Sequence, residues 1–157
     1  MLPRDLAITD LPQEDGALEL VRSSWLNGFH CSPWSGPLLR GQFWAAYAPV
    51  INALISAPTV RLRAVCPVSD PGLIYSWMAS EVRHGEVCVH FCYTKVGEKD
   101  LRGKGYARHL LLDAGASLRG GWVFSFLTAH GRDYLTRPYK GRFRPFYVRD
   151  HYETAPP

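Results

Sequence analysis

The chain has 157 residues, 46% hydrophobic and 20% charged, with a formal net charge of +4. At that length one domain is expected, with enough apolar material for a core that needs neither disulfides nor metal. The composition excludes wholesale disorder and a repeat fibre, and no window approaches the ~18 uninterrupted apolar residues of a membrane span.

The N-terminus, Met1-Leu2-Pro3-Arg4-Asp5, lacks the basic start and apolar run of a secretion signal, so the cytosol is the expected compartment. Leu6–Ile8 reads as a short first strand. Leu18, Val21 and Trp25 have helical spacing over Gly16–Leu26, with Asp15 as the expected N-cap. Residues 28–41, rich in Gly, Pro and Ser, predict a loop. Phe43, Tyr47, Val50, Ile51 and Leu54 then mark one face of a helix over about 41–56, with a kink or fresh start at Pro49.

Three strands follow. Val60–Val68 alternates, Leu73–Glu81 comes after a Ser69-Asp70-Pro71-Gly72 turn, and Val87–Lys95 comes after Arg83-His84-Gly85-Glu86. Together they predict an antiparallel meander. In the last strand Val87, Val89, Phe91 and Tyr93 alternate with Cys88, His90, Cys92 and Thr94. The spacing puts Cys88, His90 and Cys92 on one face. Cys31, Cys66, Cys88 and Cys92 form no CxxC pair, so reduced core cysteines are expected and no metal site.

The period then becomes helical: Ala107, Leu110, Leu111, Ala114 and Leu118 share a face, with Gly120-Gly121 as the expected stop. The Val87/Val89/Phe91 face is expected to pack on Leu110, Leu111 and Ala114. Trp122–Leu127 is a nearly unbroken apolar run, as in a strand covered on both sides. Strand, helix and strand in that order predict a parallel crossover. Arg142–Val148 supplies a last strand, with Pro145 on an edge. The sum is a mixed α/β or α+β domain over residues 1–152, with 153–157 a frayed tail.

Charge is concentrated late in the chain. Residues 132–149 carry six basic side chains against Asp133 alone, a net of +5, which leaves −1 for the rest. Tyr134, Tyr139, Phe143, Phe146 and Tyr147 lie between them. Such a segment can hold phosphates and stack on bases, or form a solvated face over core aromatics.

The most informative run is Leu101-Arg102-Gly103-Lys104-Gly105-Tyr106-Ala107, at the mouth of the third helix. The first N–H groups of a helix lack internal partners, and its dipole is positive there. Glycine lets an anion approach the backbone, and Arg102, Lys104 and Arg108 add charge. The run is neither a Walker A loop nor a dinucleotide fingerprint, since Arg108 occupies the last glycine position. It resembles R/Q-x-x-G-x-G/A, the acyl-CoA pyrophosphate loop of the GCN5-related N-acetyltransferases. The element order resembles that family too, specifically over about residues 73–127 and loosely elsewhere. Ser24-Trp25, Ile74–Trp77 and Tyr93-Thr94-Lys95 resemble short phage-encoded members.

The resemblance implies a mixed, mostly antiparallel sheet of six or seven strands flanked by about four helices. It implies acetyl-CoA, or another short acyl-CoA, as donor. The pyrophosphate would lie on the backbone of Arg102, Gly103, Lys104, Gly105, Tyr106 and Ala107, and the pantetheine arm along Tyr93, Thr94, Lys95 and Val96. The strands 87–95 and 122–127 would splay around the thioester, and an amine would attack it directly with donor and acceptor bound together. A tyrosine would protonate the leaving thiolate. Tyr139, two residues before Gly141, matches best, with Tyr134 in reserve. Glu81 and His90 are the candidate bases, the histidine for its reference pKa of about 6.5, and Ser125 could orient substrate or a water.

The acceptor amine is open. The loop near Phe29, His30 and Trp34 suits stacking on a ring or packing as a lid. Nucleic acid is a candidate acceptor through the basic segment, as in DNA modification, and would show steep salt dependence. A non-catalytic binding module on the same scaffold is the remaining alternative. A monomer or homodimer without membrane attachment is expected.

Overall fold

The computed structural model describes residues 2–12, 14–32, 36–96, 101–117, 121–126, 128 and 141–143. In chain order the elements are β1 (Leu6–Asp10), α1 (Asp15–His30), α2 (Arg40–Ser56), β2 (Arg61–Pro67), β3 (Ser76–Arg83), β4 (Glu86–Thr94), α3 (Tyr106–Asp113), β5 (Trp122–Phe124) and β6 (Arg142–Phe143). The six strands form one sheet in sequential order. β1 to β4 pair antiparallel, while β4–β5 and β5–β6 are parallel. The predicted class, meander and crossover are all present, and three helices lie among the described residues.

α1 runs to His30, four residues past its expected end, and begins after Glu14, so Asp15 is its first residue and not its cap. Gly28 sits inside this helix for a packing reason: a Cβ there would come within 2.8 Å of the Phe91 ring. Part of the predicted 28–41 loop is therefore helix. α2 is a single helix with Pro49 inside it. Phe43, Ile51 and Leu54 of the predicted face are buried, and Tyr47 and Val50 pack against them. The β3–β4 turn is tight: His84 and Gly85 both have positive φ, 50° and 78°, as a two-residue hairpin requires.

α3 is shorter than its apolar pattern predicts. It ends at Asp113 because Gly115 adopts φ 84°, and the Ala116 N–H reaches back to the Leu111 carbonyl. That closure is a left-handed cap. The stop is Gly115 and not Gly120-Gly121, and Leu118 lies outside the described residues. Likewise β5 ends at Phe124, and only Arg142–Phe143 of the predicted last strand is described.

The sheet separates two apolar layers. On one face Trp25, Phe29, Phe43, Ile51 and Leu54 of α1 and α2 pack with Trp77, Phe91 and Phe126. Trp25 stacks on Phe91 with ring centroids 5.3 Å apart and meets Phe126 edge-on at 5.2 Å. On the other face Leu110 and Leu111 of α3 pack with Val65, Met78, Val87, Val89, Trp122 and Phe124. Arg63 ties this side together, bonded to Asp10 at 2.7 Å and Asp113 at 2.8 Å. The expected Val87/Val89/Phe91 face is therefore divided: the valines meet α3, but Phe91 points to α1. A bulge in β4 is the cause, since one extra residue shifts the two-residue alternation.

Replacing Gly28 by Ala sets two effects against each other. Helix propensity gains about 1 kcal/mol, and overpacking against Phe91 costs about 1–3 kcal/mol. Net destabilisation of about 1 kcal/mol is expected by denaturant unfolding. Adding Phe91→Leu in the same chain should remove most of the penalty caused by the new methyl group; equal penalties in both backgrounds would refute the contact.

Candidate active site

The bulge also builds the site. Val89 stands opposite Ser80 and Phe91 opposite Ala79, so His90 is the unpaired residue between them. Glu81 stands opposite Cys88. The His90 ring spans from this carboxylate to β5's far end. Nε2 lies 3.1 Å from Glu81 Oε1, and Nδ1 lies 2.7 Å from Ser125 Oγ. All three residues are buried, at 4%, 0% and 7% exposure for Glu81, His90 and Ser125. Thr59, just before β2, donates its hydroxyl to Glu81 Oε2 at 2.7 Å. Arg83 Nε lies 3.5 Å from Oε1.

Three sequence candidates, proposed separately, thus form one chain of hydrogen bonds. Thr59 and Arg83 complete it and were not singled out beforehand. Arg83 carries a weak signal, two residues from Glu81 on the same strand; Thr59 carries none.

The electrostatics give the chain a direction. Burial alone would push the Glu81 carboxyl up. Hydrogen bonds from His90 and Thr59, and the charges of His90 and Arg83, outweigh it and hold the group down at about 2. The ionised carboxylate only accepts, so the hydrogen-bond network assigns the imidazole proton to Nε2. In the neutral ring Nδ1 then accepts from the Ser125 hydroxyl.

Ser125 directly follows the β4–β5 pairing. β4 and β5 pair over Val87–Val89 and Trp122–Phe124, and the Ser125 N–H bonds to the Val89 carbonyl at 3.0 Å. β4 continues through Phe91–Thr94 alongside β3. Leu127, the end of the run expected to splay from β4, lies outside the described residues.

The α3 mouth has the predicted backbone. Gly103 and Gly105 have φ of 74° and 81°, Gly105 is the N-cap, and no side chain caps the helix. A Cβ at either glycine would meet nothing within 4 Å. Arg102, Gly103, Lys104 and Arg108 are exposed and Ala107 is half-buried. Tyr106 is buried, its ring 6.2 Å from that of Tyr75. These features fit an anion cradle built from backbone. On the approach to it, Tyr93 and Thr94 are half-buried and Lys95 and Val96 exposed, but the Lys95 N–H is given to the Tyr75 carbonyl.

Cys88 and Cys92 do not share a face. Cys88 stands opposite Glu81, while Cys92, opposite Met78, packs on the α3 side. The same bulge separates them. Burial pushes the Cys92 thiol up to about 12. Phe29 is core, tilted against Phe43 and edge-on to Tyr47 and Phe126, and His30 lies edge-on to Phe43. Ser24-Trp25 and Trp77 meet directly, with Trp77 Nε1 donating to Ser24 Oγ at 3.1 Å. Trp34, Tyr134, Tyr139 and the basic segment other than residues 141–143 lie outside the described residues. Arg142 pairs with Glu86, and Gly141 lies where a Cβ would strike Trp122. No described helix is long and apolar enough to cross a membrane.

The depressed Glu81 carboxyl makes a stability prediction. Its contribution is complete above the unfolded value of about 4.3 and is lost as pH falls toward 2. Wild type should lose stability relative to Glu81→Gln by up to about 1.4 kcal/mol per pH unit in that window. Parallel unfolding curves for the two proteins between neutral pH and pH 3 would contradict it.

No protein-family profile and no curated protein matches the chain. Solved structures do. A spermidine N-acetyltransferase from Vibrio cholerae, in complex with CoA and spermine, is 18% identical over 71% of this chain, with a TM-score of 0.39. This chain spans 62% of that protein's length. A glucosamine-6-phosphate N-acetyltransferase from Arabidopsis thaliana is 11% identical over 91% of this chain and 95% of its own, also at TM-score 0.39.

Proposed function

We propose that the protein is a GCN5-related acyltransferase that moves an acetyl or short acyl group from acyl-CoA to an amine. One observation carries this reading. A parallel strand–helix–strand crossover opens its helix on two positive-φ glycines, and a buried imidazole on the first strand reaches a hydroxyl at the end of the second.

In this reading the backbone from Arg102 to Ala107 holds the pyrophosphate, with Arg102 and Lys104 adding charge. Tyr93, Thr94 and Val96 line the arm. His90 accepts the proton lost by the amine, through the Ser125 hydroxyl that lies against Nδ1. Glu81 fixes the ring and stabilises the imidazolium, and Thr59 and Arg83 hold Glu81. Tyr139 returns a proton to the thiolate. The family resemblance implies direct attack by the amine with both substrates bound.

A nucleic-acid acceptor is the second reading, favoured by the net charge of +5 over residues 132–149. It expects transfer that weakens steeply with salt. A pure binding module is disfavoured, because burying a carboxylate, an imidazole and a hydroxyl is often less stable than an apolar core of equal volume.

Calorimetric titration with acetyl-CoA, with desulfo-CoA as control, tests the donor site. Micromolar binding is expected, reduced at least ~100-fold by Gly105→Val, whose side chain would occupy the open side of the cradle and strain a left-handed residue. Undiminished binding by a folded variant, or no binding by wild type, would remove the reading.

A further inference from the structure

We propose that Arg63 is a positioning residue for the donor site: from β2 it sets the roll of α3, and with it the aim of the backbone N–H groups at the helix mouth. This rests on the acyl-CoA reading and adds to it a residue far from the Arg102–Ala107 run. The carrying observation is a forked bond to the last residue of α3. Arg63 Nε lies 2.8 Å from Asp113 Oδ2, and Nη2 lies 3.2 Å from Asp113 Oδ1. The third nitrogen, Nη1, lies 2.7 Å from Asp10 Oδ1 on β1. All three guanidinium nitrogens are engaged, so the side chain is braced by β1 on one side and α3 on the other.

α3 has only eight residues, and its buried side chains are Tyr106, Leu110 and Leu111. Apolar burial is non-directional, so this stripe holds the helix down without fixing its rotation about its own axis. A bidentate guanidinium–carboxylate pair is directional and does fix it. Asp113 also stands at the negative end of the helix dipole, where a carboxylate needs a cation beside it. No basic residue occupies the last turn of α3, and Arg63 supplies the cation from a position 50 residues away in the chain. At the other end Gly105 is the N-cap, and no side chain caps the first turn. The orphan N–H groups there are spread around the helix axis, so a roll of α3 turns them away from a shared anion.

The two acid partners are not equivalent. The Arg63 and Asp113 side chains are 23% and 27% exposed, that of Asp10 87%. The Asp113 bond also does most to keep the guanidinium charged. A solvent-exposed pair contributes little, so Asp10 is the weak brace and Asp113 carries the coupling to the helix.

Calorimetric titration of the whole protein with CoA, and separately with inorganic pyrophosphate, tests this on Arg63→Lys, Asp113→Asn and Asp10→Asn, each with a thermal unfolding curve. Arg63→Lys keeps the charge and loses the fork. It and the near-isosteric Asp113→Asn should weaken both ligands by about 10-fold while folded. Asp10→Asn should stay within about twofold of wild type. If Arg63→Lys does not fold, Asp113→Asn decides. A brace that serves stability alone would lower the melting temperatures and leave the affinities unchanged. That result, or equal losses of affinity in Asp10→Asn and Asp113→Asn, overturns the proposal and leaves the acyl-CoA reading standing. Wild type that binds pyrophosphate and not CoA removes the acyl-CoA reading, and the pyrophosphate affinities of the variants then decide on Arg63. Binding of neither ligand removes both.

Discussion

One extra residue in β4 organises both the core and the site. Without the bulge at His90, Phe91 would follow Val87 and Val89 to the α3 face and leave the aromatic layer. With it, Val87 and Val89 seal one apolar layer and Phe91 anchors the other, between Trp25 and Trp77. The aromatic layer in turn keeps β4 in this register, because a one-residue slip would send Phe91 away from Trp25 and Gly28. Packing and chemistry thus depend on the same backbone irregularity.

The chain from Thr59 through Glu81 and His90 to Ser125 is an expensive feature for a domain of this size. Glu81, His90 and Ser125 are buried and each needs a partner, since an unmatched buried polar group costs about 1–3 kcal/mol. The partners come from four places: the segment before β2, β3, β4 and the end of β5. Removing any one leaves an orphan, and the network therefore acts as a unit. Its polarity is set at the acid end, where a carboxylate held ionised dictates the tautomer and leaves Nδ1 as the acceptor of the serine hydroxyl.

The α3 mouth follows a different logic. Its groups are backbone N–H donors and two glycines in left-handed conformation, so its design tolerates changes in exposed side chains and not in the glycines. The His90–Ser125 contact and the glycine-rich mouth of α3 are joined by the crossover itself, which runs from one strand through the helix to the next.

Much of this was legible in the sequence, and for local reasons. Helical and strand periodicity, the hairpin signals and the Gly103/Gly105 spacing report preferences that neighbouring residues settle among themselves. Glu81, His90 and Ser125 could be named as candidates from their residue types. The places where reading fell short share one cause. Period-2 alternation assumes an unbroken strand, so it put Cys88, His90 and Cys92 on one face and Phe91 beside Val89. Gly28 read as a loop residue because its purpose is to admit a ring from a strand over sixty residues away. The end of α3 was misplaced because two glycine signals compete and the earlier one, Gly115, closes the cap. The sequence by itself determined the kinds of element, their order and the stock of reactive groups. Only the tertiary structure decided which groups meet, because the bulge arises where β3, the α1–α2 layer and β5 each fix β4, and no single segment encodes that balance.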